Sequence, residues 1–447
     1  MKRNSALIQL LIIHSSLLIF ASCSVQKQIS RSAQQIVLKD SSLATAHVGI
    51  SIYEPATGKH WFNYQGDYYF VPASNTKIPT CYAAMKYLGD SLVGLRYTIS
   101  ETGLIIQPSG DPSFLHPDFK IQPVYDFLKS QNQNIFYAPS NAVTGWGSGW
   151  AWNDYAENYM AERSAMPIYG NLVRFRKMGE KNIQVDSTPS FSINIIPGYF
   201  RDKKIISKIN WANAKGFSID RLIAQNLFII TPANNSGNSE VPFTNIPEEI
   251  LPLLTDTLHK AFLPMGTIKN KLAKIIHSQP TDSLLKPMMH RSDNFFAEQS
   301  LLMVSNELLS VMNDEKIIDT LLKTDFKDLP QKPRWVDGSG LSRYNLFSPQ
   351  DLVFILNKMK IEFGMGRVKT IFATGNEGTL EGRYKTEVGY IFAKTGTLSG
   401  VVALSGFLYT KKNKLLIFSI LVNNHNNNPS AVRTAIEKFI RSIREKY

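Results

Sequence analysis

The stretch Pro72-Ala73-Ser74-Asn75-Thr76-Lys77-Ile78 constrains this chain more than any other. Apolar residues recur at Ile78, Cys81, Tyr82, Met85 and Leu88 and stop before Gly89-Asp90, a spacing that predicts a buried helix from about Ser74 to Leu88. Positions three apart share a helix face, so Ser74 and Lys77 point the same way from the first turn. A serine hydroxyl is a weak nucleophile at neutral pH, and a lysine made neutral by burial or by a second cation can take its proton. The free N–H groups of a first helical turn can also stabilise an oxyanion. Taken alone, the pattern favours an N-capping serine beside a solvated lysine, and Ser283-Leu284-Leu285-Lys286 repeats the spacing.

The rest of the chain has to supply the context. Its 447 residues, 43% hydrophobic and 19% charged, suffice for two or three globular domains and do not read as disordered. The net charge of +13 could suit nucleic acid or an anionic cell surface, but no run of five Lys/Arg occurs and the basic residues are spread out. Solvated faces account for that pattern, and nucleic acid is not an expected partner. Lys2-Arg3, the apolar stretch from Ala6 to Phe20 and Ala21-Ser22 look like a secretory signal over 1–22. The small residues before Cys23 resemble a bacterial lipoprotein signal, which would lipidate Cys23 and hold the chain at a membrane; an uncleaved anchor is the alternative. The expected location is the periplasm or cell envelope. Cys81, the other cysteine, reads as a small core residue.

In chain order, 23–45 reads as a polar tether and His47 to Tyr64 as an antiparallel hairpin leading into the Ser74 helix. From about Tyr97 the texture turns to short alternating strands, turns and a Gly/Trp-rich segment, Gly145 to Asp154, whose tryptophans fit packing under a loop better than a saccharide platform. Helical texture returns near Leu284. Strand candidates follow at Tyr390 to Lys394, Val401 to Tyr409 and Lys414 to Val422, with turns at Gly396 to Gly400 and Thr410 to Asn413, then a last helix from Pro429. The reading is α+β: one antiparallel sheet flanked by helices and made from both chain ends, 46–96 and 282–447, interrupted by a mostly β insert over 97–281.

Ser292-Asp293-Asn294 offers a hydroxyl and an amide that could orient a substrate amide and relay a proton. Lys394-Thr395-Gly396 occurs once, at the end of a predicted edge strand, where a cation and a hydroxyl can hold a carboxylate and Gly396 lets a substrate backbone approach. Each motif is weak alone. Their order, S-x-x-K, then S-D-N, then K-T-G, is the trio of β-lactamases and penicillin-binding proteins. No G-x-S-x-G elbow, phosphate-binding loop or H-E-x-x-H competes with it.

The 218 positions from Ser74 to Ser292 exceed what a compact β-lactamase uses. The arrangement resembles the low-molecular-mass, class C penicillin-binding D-alanyl-D-alanine carboxypeptidases/endopeptidases, in which extra domains interrupt a β-lactamase/transpeptidase-like domain after the serine helix. Gly110-Asp111-Pro112, Trp152-Asn153-Asp154, Asp337 to Ser342, and Gly378-Thr379-Leu380 with Arg383 look like that family too. The resemblance implies Ser74 as nucleophile, Lys77 as acylation base kept neutral partly by Lys394, and Ser292 as proton relay. Asn294 would hold Lys77 and the substrate amide; Lys394, Thr395 and Thr397 would bind the terminal carboxylate, with an oxyanion hole from the N–H groups of Ser74 and Thr397. It implies peptidoglycan stem peptides as substrate, β-lactams as covalent inhibitors, and no metal or organic cofactor. No counterpart of the class A deacylating glutamate is recognisable, so penicillin is expected to stay attached. A β-lactamase or a non-catalytic cell-wall peptide binder are the alternatives.

Overall fold

The computed structural model describes residues 26–177 and 237–447 and, between them, 184–185, 188–189, 193–203, 205–207 and 217–231. The expected signal, Cys23, the start of the strand-like run at Phe191 and most of the polar loop at Asn234 lie outside the described residues.

The two chain ends meet in one antiparallel sheet. Its strands are β1 (His47–Glu54), β2 (Lys59–Tyr64), β3 (Ala373–Thr374), β4 (Ile391–Leu398), β5 (Val401–Tyr409) and β6 (Leu415–Asn423), in the order β3-β4-β5-β6-β1-β2. The central strands read VVALSGFLY and LLIFSILVN and are buried almost throughout. Period-two alternation sends Phe407, Ile417 and Leu421 into one core and Leu404, Phe418 and Ile420 into another, because both faces are covered. The one polar pair in the middle, Ser405 opposite Ser419, satisfies itself with a 2.8 Å hydroxyl contact.

Helices α1 (Lys77–Tyr87), α2 (Thr281–His290), α3 (Asn294–Leu309) and α4 (Pro349–Ile371) share the first core, and α5 (Pro429–Lys446) covers the second. The expected polar tether is largely absorbed into that second layer. Residues 26–33 and Gln34–Leu38 are helical, and Ile29, Ala33 and Val37 bury a stripe of one residue in four. Lys446 Nζ donates to Ser32 Oγ, and the Tyr447 hydroxyl to Gln28 Oε1. The polar residues between the apolar ones concealed this amphipathic helix.

The insert begins earlier than the expected Tyr97. Strand Ser91–Ser100 already belongs to a separate five-stranded sheet, where it pairs with Lys274–Pro280. The chain leaves and re-enters through a narrow neck: the Thr281 N–H donates to the Asp90 carbonyl at 2.9 Å, and its hydroxyl to that of Gly89 at 2.7 Å. Further strands fill the region, joined by helices Pro123–Ser130 and Pro247–Leu258. Both helices open on a proline, whose missing N–H is harmless in a first turn.

One correction bears on function. β4 continues through Gly396 and Thr397, paired with Ala403 and Val402, so the turn is confined to Ser399-Gly400. Only Phe392 and Ala393 pair with β3, and among the described residues no strand pairs with the outer edge of 394–398.

Candidate active site

Ser74 lies on a tight 3-10 turn, Ala73–Thr76, and the α-helix begins at Lys77 rather than at the serine. In a 3-10 turn side chains three apart eclipse one another, which stacks Ser74 on Lys77 more directly than an α-helix would. Their contact, Lys77 Nζ to Ser74 Oγ, is 3.1 Å. The turn is strained and pinned at once. Ala73 takes φ +46°, a left-handed value that costs a non-glycine residue about 1–3 kcal/mol. Asn75 Nδ2 donates to the Lys394 carbonyl at 3.0 Å and Thr76 Oγ1 to the Ala73 carbonyl at 2.9 Å.

Two glycines make room for this turn. A Cβ on Gly396 would stand 2.8 Å from the Pro72 carbonyl oxygen, so the glycine of K-T-G admits the Ser74 turn to the sheet. Gly340, at φ +86°, would place a Cβ 1.9 Å from the Ala73 carbonyl oxygen. Its loop is built round the buried Asp337 carboxylate, which accepts from the N–H groups of Gly340 and Ser342, from Asn345 Nδ2 and from Trp150 Nε1.

Ser292 and Asn294 come from the junction of α2 and α3. Arg291 and Ser292 are all that separates the end of α2 from the Asp293 N-cap, which accepts from Phe296 N–H at 3.0 Å. So short a link forces Ser292 to φ +63°. Its Oγ accepts from Lys394 Nζ at 2.9 Å. Asn294 Oδ1 accepts from Lys77 Nζ at 2.6 Å, while Nδ2 donates to the Tyr159 carbonyl of the insert. Lys77 Nζ also donates to the Ser339 carbonyl at 2.7 Å.

Both lysines are fully buried. Burial pushes the Lys77 ammonium down to about 8 against the upward pull of Asp337, Glu298 and Asp293. Burial and then the Lys77 charge hold Lys394 well below the ordinary lysine range. The expectation that Lys394 helps keep Lys77 neutral is therefore corrected: desolvation lowers Lys77, and the charge effect between the two runs from Lys77 onto Lys394. Glu298, buried one turn beyond Asn294, is raised to about 7 by burial and Asp337, and accepts from the Ser339 N–H.

Above these groups opens a cleft of about 780 Å³ lined by Ser74, Ser292, Asn294 and Thr397, with Tyr159 from the insert and Tyr344 opposite. Five of the expected residues gather here in two hydrogen-bonded sets, Ser74 and Asn294 around Lys77 and Ser292 on Lys394. Thr395 turns away, its Oγ1 2.7 Å from Thr379 Oγ1, and Thr397 is exposed at the lip.

Residues 30–193 and 263–443 match the D-Ala-D-Ala carboxypeptidase 3 (S13) family. The chain belongs to that family. It is 23% identical over 427 residues, 86% of this chain and 87% of the relative, to the D-alanyl-D-alanine carboxypeptidase DacB of Haemophilus influenzae. It is 24% identical over 460 residues to the D-alanyl-D-alanine carboxypeptidase of Actinomadura sp. strain R39, covering 90% of this chain and 82% of that one. The crystal structure of penicillin-binding protein 4 (dacB) from Haemophilus influenzae shares the fold, with a TM-score of 0.69 at 21% identity over 93% of this chain and 98% of that one.

Within this S13 chain the motifs did not disclose the carbonyl of Ser339 as a Lys77 partner, although Asp337 to Ser342 had stood out as family-like. Arg433 was missed as well. It reaches Thr397 Oγ1 at 2.7 Å from α5, and no local motif marks it.

Proposed function

We propose that this serine-type D-alanyl-D-alanine carboxypeptidase of the S13 family works through Ser74, with Lys77 as the base that acylates it. The contacts of Lys77 carry the reading. Asn294 Oδ1 at 2.6 Å and the Ser339 carbonyl at 2.7 Å only accept, so a neutral Lys77 amine gives them its two N–H groups. Its lone pair is left for the third neighbour, the Ser74 hydroxyl.

Ser74 Oγ attacks the carbonyl between the last two D-alanines of a stem peptide as its proton passes to Lys77. The oxyanion is held by the N–H groups of Ser74 and Thr397. Ser292, whose oxygen is occupied by Lys394 Nζ, keeps its own proton free for the leaving amine and is reprotonated from Lys77. Departure of that amine breaks the C–N bond and leaves an ester on Ser74. Water then attacks the ester and frees the shortened peptide. Asn294 retains a second N–H for the substrate amide, the unpaired edge of 395–398 suits an extended peptide, and Thr397, the member of the Lys394-Thr395-Gly396-Thr397 stretch that lines the cleft, receives the carboxylate.

Benzylpenicillin presents the same acyl chemistry, and the Haemophilus influenzae protein has a crystal structure complexed with a β-lactam. Intact-protein mass after brief and long incubation with penicillin is the test. A lasting single adduct absent from Ser74→Ala supports the reading; a transient adduct with drug consumption indicates a β-lactamase, and none in folded protein indicates a binder. We further propose export to the cell envelope with Cys23 as lipid anchor, tested by the membrane fractionation of Cys23→Ser, and action on cross-links as well as termini, tested by loss of dimeric fragments from digested peptidoglycan.

A further inference from the structure

Arg433 is a cation without an obvious reason on its own helix. It sits near the N-terminal end of α5, where the helix dipole is already positive. Arg383 crowds it: burial and that second guanidinium both pull Arg433 below the ordinary arginine range, and neither is offset by a carboxylate. Glu437, the acid within reach, is engaged by Arg383 at 3.0 Å. Among the described residues Arg433 forms no salt bridge; the contact recorded for its side chain is Nη2 to Thr397 Oγ1 at 2.7 Å. Thr397 in turn lines the cleft that holds Ser74 and Ser292. The lip therefore joins an unneutralised guanidinium to a hydroxyl, next to the scissile bond.

We propose that Arg433 reads the free α-carboxylate of the D-amino acid that leaves. The inference rests on the reading of Ser74 as nucleophile and of Lys394 to Thr397 as the carboxylate strand, and adds a residue from a different element. Lys394 is buried, with Nζ committed to Ser292 Oγ and the Thr395 carbonyl, so direct contact with the carboxylate falls to groups on the lip. A guanidinium has five N–H groups, and one spent on Thr397 leaves others for a carboxylate in fork geometry. The charge of Arg383 acting on Arg433 gives the lip an excess of positive charge, which one carboxylate relieves. A substrate whose terminus is blocked cannot relieve it. Arg433 would thus set specificity for a free carboxylate on the leaving residue.

The experiment compares kcat/KM for an acyl-D-Ala-D-Ala peptide and for the same peptide with a C-terminal amide, in wild type, Arg433→Gln and Arg433→Lys. Wild type is expected to prefer the free acid. The acid-to-amide ratio should fall about 10- to 100-fold in Arg433→Gln, as expected for loss of a charge-assisted pair, and recover in part in Arg433→Lys. Acylation by benzylpenicillin against its methyl ester gives a second ratio that should fall in parallel. If Arg433→Gln lowers acid and amide by the same factor, Arg433 serves only the fold or the placement of Thr397, and the proposal is overturned. An unchanged ratio overturns it too. Absence of both peptide turnover and a penicillin adduct in wild type would remove the nucleophile assignment itself, a distinct failure.

Discussion

On the floor of the cleft Lys77 and Lys394 are wholly buried and their ammonium groups are tied to acceptors from four separate segments, whereas on the lip Tyr344 is 50% exposed and Thr397 faces solvent. Burial makes the difference. A polar group on the floor has no water to fall back on, so each partner that is lost leaves a charge or a donor unsatisfied. On the lip water replaces any lost partner. Floor substitutions should therefore act on the chemical step, and lip substitutions on choice of substrate or on stability in small increments.

The largest effect tests the floor. Ser74→Ala should form no penicillin adduct at any time, because among the described residues Ser74 supplies the one hydroxyl bonded to Lys77 Nζ. Lys77→Ala comes next. The hydroxyl remains, but its proton has no acceptor, and the acylation rate should fall about 10²–10⁴-fold with an unchanged circular dichroism spectrum. Normal acylation would remove Lys77 as base. The same assignment fixes a pH dependence. A base must be neutral, and burial puts Lys77 near 8, so the acylation rate should climb about tenfold per pH unit below that value and level off above it. A rate independent of pH between 6 and 9 would separate the step from Lys77.

How much of this was legible follows the same division. Floor residues come in short motifs because local geometry requires it: Ser74 and Lys77 must be three apart to eclipse, and Ser292, Asp293 and Asn294 must be adjacent for one N-cap to aim two side chains. The central strands were legible because residues covered on both faces read as continuous apolar runs. Three features were not. The helix over 26–38 buries only Ile29, Ala33 and Val37 fully, one residue in four, and six of its first seven residues are polar, so the stripe does not stand out. Strand Ser91–Ser100 is interrupted by Gly94, which a Cβ would drive to 2.7 Å from Val124 Cγ2, a tertiary reason invisible in local sequence. Arg433 reaches the lip from 36 positions away, and its meaning depends on Arg383 and Glu437 being where they are.

The loop from Asp337 to Ser342 joins floor to lip, and substitutions in it grade the contrast. Gly340→Ala carries the larger effect. At φ +86° any side chain is strained, and this one would enter the Ala73 carbonyl, so the turn that carries Ser74 must shift. Overpacking of this kind costs about 1–3 kcal/mol. Both the midpoint of thermal unfolding and the acylation rate should fall, the rate by less than in Lys77→Ala, where the hydroxyl loses its proton acceptor. An unperturbed rate would show that the turn holds its geometry without the loop.

Trp150→Phe should give the smallest effect. It removes the 3.0 Å hydrogen bond from Trp150 Nε1 to Asp337 Oδ2 and keeps most of the ring. The carboxylate would retain the N–H groups of Gly340 and Ser342 and the amide of Asn345, so the loop keeps its shape. Loss of one bond to a charged group is worth about 1.5–3 kcal/mol, and three remaining donors put the change at the low end. Thermal unfolding should shift down slightly, with penicillin acylation within about threefold of wild type. A collapse of acylation would mean that the insert, through Trp150, holds the Ser339 carbonyl on Lys77, and the boundary between floor and lip would then run through the insert itself.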